Sequence, residues 1–262
     1  MKTITKSFLK TIEKETFHIG QLKTLIESRD NKTVSVKDII KFYRKFDPDI
    51  KRPTVDWRIH NLMNEGILER IGNGLYTLGK RTVFQPQIDP DLKGVYEDLA
   101  KEYPYLSFSV WTTKWLNTFM IHQPARYFTL IEVEQDGMEP VFYMLKDKYD
   151  QVYINPSADT MDKYISGRHH SKIVTRLISE APVQGIEGIT VPTLEKILVD
   201  LYCNRILFGA FQGKELENIY ANASETYVID RSKLLRYASR RGKKEEIKTF
   251  IKHIDSGTAT LS

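Results

Sequence analysis

The chain has 262 residues, 41% of them hydrophobic and 28% charged, with a formal net charge of +5, enough length for one large domain or two modest ones. No apolar run approaches the roughly 18–20 residues of a membrane helix. The N-terminus, MKTITKSFLKTIEKE, lacks the apolar core of a signal peptide, and the lone Cys203 permits neither an intrachain disulfide nor a Cys-based zinc site. A cytoplasmic protein with no membrane partner is expected.

The charge is uneven. Residues 1–85 hold 17 Lys+Arg against 10 Asp+Glu, residues 86–230 hold 13 against 21, and residues 231–252 hold 9 against 2. Basic ends around an acidic middle suit a polyanion partner at the N-terminal block. For the tail, a merely solvated face is the competing reading.

Along the chain, Phe8 to Ser28 carries apolar residues at Phe8, Ile12, Phe17, Leu22, Leu25 and Ile26, a helical pattern interrupted near Gly20. Residues 29–34 read as a turn. Ser35 is placed to cap a second helix with Ile39, Ile40, Phe42 and Tyr43 behind it, and Asp47-Pro48-Asp49 stops it. Arg52-Pro53-Thr54 opens a third, whose stripe is Val55, Ile59, Leu62 and Met63. Its opposite face holds Thr54, Trp57, Asn61 and Asn64, flanked by Arg58 and His60. Gly66 ends it, and strands over 67–71 and 75–78 pair across Gly72-Asn73-Gly74. Three helices and a hairpin make a winged helix-turn-helix over residues 1–82.

The stretch KRTVFQPQIDP, residues 80–90, marks a domain boundary. Beyond it the pattern predicts a helix over 92–102, a strand over 106–111, a helix over 114–122 capped by Thr112 or Thr113 and closed by Gln123-Pro124, and a strand over 127–134. A short helix over 140–146 and strands over 151–154 and 189–191 follow, with 173–178 ambiguous. Pro192-Thr193 opens a helix expected to run to Phe208. Helices over 213–224, 230–241 (capped by Asp230, stopped by Gly242) and 245–254 complete the chain, with a frayed SGTATLS end. The expected fold is therefore α+β: a winged helix-turn-helix, then a mixed α/β domain over 90–254 with a helical C-terminal part.

The third helix suits a DNA major groove, which is about 12 Å wide and admits one α-helix. Arg58 is the residue type that reads guanine and Asn61 the type that reads adenine, beside Thr54 and Trp57. Lys51 and Arg52 suit phosphates, and Arg70 and Asn73 on the wing suit the backbone or minor groove. Two readings of Trp57 stand open, stacking on a sugar or packing against the second domain. A winged helix that binds protein instead is the alternative for the module. Because few phosphate contacts bind weakly at physiological salt, two copies on the DNA or a larger assembly are expected.

The acidic middle shows no GxxxxGK[ST], GxSxG or GxGxxG. His169-His170 lies in a charged, irregular segment and reads as solvated. Asp47-Pro48-Asp49 and Asp89-Pro90-Asp91 sit in proline turns without the Gly-Ser turn of a nucleotidyltransferase, so they read as caps and stops. Glu132, Glu134, Asp136 and Glu139 lack a neighbouring E-x-K strand, since Glu246-Ile247-Lys248 falls in a basic helix. Cys203 reads as core. Glu195, Asp200 and Arg205 fall at intervals of five on the helix expected over 192–208, as surface pairs or as a buried network.

The string VPTLEKILVDLY resembles the P-E-K-x-L-x-D-L segment of AbiEi-like antitoxins of bacterial type IV toxin–antitoxin systems, and the module ending GNGLYTLG resembles their winged helix. FQGKELENIY and YVIDRSKLLRYASRRGKKEEI resemble a variant with a prominent basic helix. The likeness is concentrated in 52–80 and 190–245, and the long first helix departs from it. The resemblance implies a promoter-binding autorepressor acting on inverted repeats of double-stranded DNA. It also implies a second domain that counteracts a nucleotidyltransferase toxin encoded nearby, with no cofactor and no enzymatic activity. The implied DNA contacts fall on Arg52, Thr54, Trp57, Arg58, Asn61, Arg70 and Asn73. The implied neutralising surface is the basic tail, Lys233, Arg236, Arg240, Arg241, Lys243 and Lys244. A ligand-sensing regulator without a toxin, and a DNA-targeted enzyme, are the competing expectations.

Overall fold

The structure, a computed structural model, describes residues 18–120, 127–168 and 170–258. The first part of the expected N-terminal helix (Phe8, Ile12, Phe17), the Gln123-Pro124 stop, His169 and the last four residues lie outside the described residues. The chain divides into two compact units, residues 1–83 with 226–228, and residues 84–225 with 229–262.

The first unit is built in the order α1 (helical over residues 18–27), β1 (Thr33–Ser35), α2 (Val36–Arg44), α3 (Arg52–Asn64), β2 (Leu68–Gly72), β3 (Leu75–Leu78). The strands form an antiparallel sheet in the order β1-β3-β2, the winged-helix arrangement expected from the sequence. Helix α1 runs through Gly20 without a break, and β1, read as turn, pairs Thr33–Ser35 with Leu75–Thr77. Ser35 caps α2 in a reciprocal box: its Oγ accepts from the Asp38 amide while Asp38 accepts from the Ser35 amide. Arg29 adds a fork onto Asp38 at 2.8 and 3.1 Å, and these donors hold the Asp38 carboxyl far below the usual carboxylate range.

Helix α3 ends in a Schellman turn, Ile67 N–H to Leu62 O and Gly66 N–H to Met63 O, with Gly66 at φ +69°. Gly66 and Gly79 are the two positions where backbones crowd: a Cβ on Gly79 would lie 2.1 Å from the Gly66 oxygen. The wing turn is tighter than expected. Gly72 pairs with Leu75, so Asn73-Gly74 is the loop and Ile71 is bulged out. The core of this unit gathers Leu22, Ile26, Val34, Ile39, Val55 and Leu62 from all three helices and the sheet.

In the second unit α4 (Pro90–Glu102), capped by Asp89, precedes a mixed sheet of order β4-β5-β7-β6. Strands β4 (Phe108–Thr112) and β5 (Phe128–Val133) are antiparallel, while β5 and β6 (Val152–Ile154) flank β7 (Ser171–Arg176) in parallel. A 3-10 helix, Thr113–Phe119, replaces the α-helix expected after β4. Helix α5 (Met138–Lys148) joins β5 to β6, and a short α6 (Ala158–Thr160) running into a π-turn joins β6 to β7.

Cross-strand register puts Ser109 opposite Glu132 and Trp111 opposite Leu130, which places these four on one sheet face. On the other face α4 is fastened by Asp91 to Lys172 at 3.2 Å, and α5 is tied to α4 by Lys148 to Asp98 at 2.8 Å. The Glu132 face is covered by α7 (Leu194–Cys203), which follows a hairpin of β8 (Val183–Ile186) and β9 (Ile189–Pro192). Helices α8 (Lys214–Thr226), α9 (Arg231–Arg240) and α10 (Lys244–Thr258) close the unit. Helix α7 stops five residues short of expectation because Asn204 leaves the helical region and its side chain accepts the Leu207 amide. Among the described residues no helix is long and apolar enough to cross a membrane.

Candidate nucleic-acid interface

Three residues of α3 are buried, Val55, Ile59 and Leu62. The helix period then turns Pro53, Trp57, His60 and Asn64 outward, and all four are exposed. Trp57 is 57% accessible, unusual for a tryptophan on a small module. Lys51 and Thr54 are also exposed at the helix start. Arg52 is exposed too, but its Nε already donates to both carboxylate oxygens of Asp56, at 2.8 and 3.0 Å. In water such an i,i+4 pair contributes about 0.3–0.5 kcal/mol, so a phosphate can displace it.

Two residues assigned by sequence to the base edges are less open than their neighbours. Arg58 and Asn61 are half-buried on the flank of α3. The Arg58 guanidinium lies 4.6 Å from the centroid of the Tyr43 ring, a cation–π contact with α2. Together with His18, Trp57 and Glu65 these residues line an open recess of about 70 Å³. On the wing, Arg70 donates to Gly72 O at 3.1 Å and weakly to Asn73 Oδ1 at 3.4 Å, so the two proposed wing contacts brace each other. The bulge leaves Ile71 50% exposed.

Sequence reasoning passed over α2, which presents Lys37, Lys41, Arg44 and Lys45 to solvent. The signal was available: the stripe Ile39, Phe42, Tyr43 leaves these four on the opposite side. The acid within that helix, Asp38, is already taken by Arg29, so α2 shows a basic outer face.

The basic tail is supported from beneath by buried charge. All residues of α7 from Leu194 to Leu201 are buried, including Glu195, Lys196 and Asp200. Lys196, fully inaccessible, donates to Glu132 Oε1 at 2.5 Å and to Asp200 Oδ2 at 2.6 Å. Asp200 also accepts from Tyr237 at 3.0 Å and from Arg241. Burial works against the Lys196 charge, but Asp200 and Glu132 outweigh it and hold the ammonium protonated; burial pushes Glu132 upward against the pull of Lys196. Glu195 accepts the Asp230 amide at 3.0 Å, just ahead of α9. One helix thus grips α9 at both ends, and the buried-network alternative holds for Glu195 and Asp200 while Arg205 stays outside it, exposed.

The residues expected to form the neutralising surface are placed unequally. Arg241 is partly buried and tied to Asp200. Lys233 is partly buried beside Glu195, Arg240 pairs with Glu180, and Lys243 pairs with Glu246 at 2.8 Å. Arg236 and Lys244 stand exposed without an ion pair among the described residues. A Schellman turn at Gly242, φ +68°, sets the angle between α9 and α10.

The acidic residues of the middle do not converge. Glu132 points at Lys196, whereas Glu134 is exposed and accepts the Ser107 amide at 3.0 Å. No group of three His, Cys, Asp or Glu among the described residues is arranged to hold a metal. Cys203, read as core, is only partly buried, and burial pushes its thiol up to about 11, which keeps it protonated at neutral pH.

No curated protein matches the chain. A family model matches residues 54–256, from the first turn of α3 through the wing and nearly all of the second unit. The chain belongs to that family, described as a family of unknown function, DUF6577.

Proposed function

We propose that the protein is a double-stranded-DNA-binding repressor of the antitoxin type, in which α3 enters a major groove and the second unit counteracts a nucleotidyltransferase toxin encoded nearby. The observation that carries the DNA half is the outward face of α3. Lys51, Thr54, Trp57, His60 and Asn64 are exposed on a winged-helix frame, next to a basic α2. A recognition helix needs polar and aromatic groups free to meet base edges and sugars, and phosphate contacts from neighbouring cations to set its register. The wing and α2 supply those cations.

The toxin half rests on the resemblance of VPTLEKILVDLY to AbiEi-like antitoxins and on the firm mounting of a basic helix. Arg236 and Lys244, with Arg240 and Lys243 in exposed pairs, offer a cationic strip to an acidic or nucleic-acid-bound partner. No cofactor and no catalytic group enters this reading.

The test is binding of the full chain to duplexes tiled across the DNA upstream of its own gene. Specific binding that weakens on Trp57→Ala, while Lys51→Ala weakens all duplexes alike, supports the reading. Equal, salt-insensitive or undetectable binding to every duplex sinks it. Co-expression with the neighbouring gene tests the second half: rescue of growth is expected, and its loss on Arg236→Glu with Lys244→Glu.

A further inference from the structure

The recess beside α3 has an unusual composition. Arg58 is half-buried in it, laid on the Tyr43 ring, and has no carboxylate and no hydrogen-bond acceptor among the described residues. Five guanidinium N–H donors held in a fixed fork are suited to an oxyanion. Asn61, one turn on, offers an amide to the same space, and Trp57 forms an apolar outer wall. Among the described residues the negative group on the rim is Glu65, seven residues and therefore about 10 Å of helix rise from Arg58.

Size decides between ligands. Small-molecule sites enclose about 300–1,000 Å³. This recess offers about 70 Å³, room for an anionic oxygen group rather than an organic effector. Its placement decides the source. The recess lies on the flank of the helix whose outward face carries Trp57, His60 and Asn64, and a helix in a groove has sugar-phosphate walls at its flanks.

We infer that the recess is a phosphate seat: Arg58, oriented by Tyr43 and assisted by Asn61, takes a backbone phosphate of the duplex and fixes the register of α3, instead of reading a base. This rests on the DNA-binding reading of the same helix. Base discrimination then falls to Trp57, His60 and Asn64. Glu65 sets a limit on affinity by opposing the phosphate.

The experiment measures anisotropy of labelled cognate and scrambled duplexes with the full chain over a salt series. Arg58→Ala is expected to weaken both duplexes by the same factor, roughly tenfold, and to lower the slope of log K against log salt by about one. Glu65→Gln is expected to tighten both duplexes, and Arg58→Lys to restore most of the slope but not all of the affinity, because a point charge replaces a fork. Circular dichroism confirms that each variant is folded. If Arg58→Ala weakens the cognate duplex alone and leaves the slope unchanged, Arg58 reads a base and the inference fails while the DNA-binding reading survives. If neither duplex responds to Arg58→Ala or Glu65→Gln, the recess does not touch DNA. Inorganic phosphate is titrated without DNA at constant ionic strength. A tryptophan fluorescence change that disappears in Arg58→Ala would make the recess a free-anion site and overturn the duplex source. If the wild type binds no duplex at all, the reading beneath fails and the seat with it.

Discussion

At the scale of single residues, Asp38 and Lys196 show how differently a charge behaves at a surface and in a core. Asp38 is a partly exposed carboxylate whose donors, the Arg29 guanidinium first and then Ser35, pull its pKa down. Its folded value lies below its unfolded one, so its contribution is present above pH about 4 and is lost as pH falls through the folded value. Amide exchange in α2 is therefore expected to quicken as pH drops below about 4, relative to the intrinsic rate. In Asp38→Asn that quickening should be absent, with α2 already less protected by about 1 kcal/mol from loss of the capping box; an unchanged acid response in the variant would contradict the assignment. Lys196 is the opposite case. Removing it leaves Glu132 and Asp200 as buried charges, and Lys196→Met is expected to cost about 3–5 kcal/mol in urea denaturation followed by near-ultraviolet dichroism. Adding Glu132→Leu should recover part of that loss, because Asp200 keeps Tyr237 and Arg241.

At the scale of elements, helix α9 is mounted rather than merely packed. Glu195 holds its start and Asp200 its end, both from α7. Tyr237→Phe removes one buried hydrogen bond to a charged group and should cost about 1.5–3 kcal/mol, whereas Arg236→Glu should leave stability unchanged within about 0.5 kcal/mol. Comparable denaturation midpoints for the two variants would contradict the mounting.

What the sequence makes legible follows the same divide. Caps and turns are local chemistry, so Ser35, Asp89, Asp230, Gly66 and Gly242 announce their elements before any fold is known. The three-residue β1 carries too little pattern to announce itself. Strand β8 is half exposed with Gly185 in its middle, and the π-turn after Thr160 has no sequence period of its own. In the candidate site, the outward face of α3 is legible from the helix period alone. The lateral seat of Arg58 is not, because it depends on the Tyr43 ring supplied by another helix. The burial of Lys196 leaves one trace, an α7 with no polar side long enough to face water: Glu195, Lys196 and Asp200 are spread around an otherwise apolar helix.

At the scale of the whole molecule, the charge pattern parallels the two units. The basic first block becomes a winged helix with exposed cations on α2 and the wing, and the basic tail becomes α9 and α10 on the second unit. The acidic middle is consumed partly in fastening helices to the sheet, through Asp91 and Glu132, and to one another, through Asp98 and Asp200. The family match runs from the first turn of α3 through the wing and nearly all of the second unit. The most direct measurement is a hydroxyl-radical footprint of the full chain on the DNA upstream of its own gene. The account predicts protected sugars in two symmetric half-sites spaced by about one helical turn or a multiple of it, with the protection lost in Trp57→Ala. Uniform cleavage across the fragment at low salt, with saturating folded protein, would contradict it.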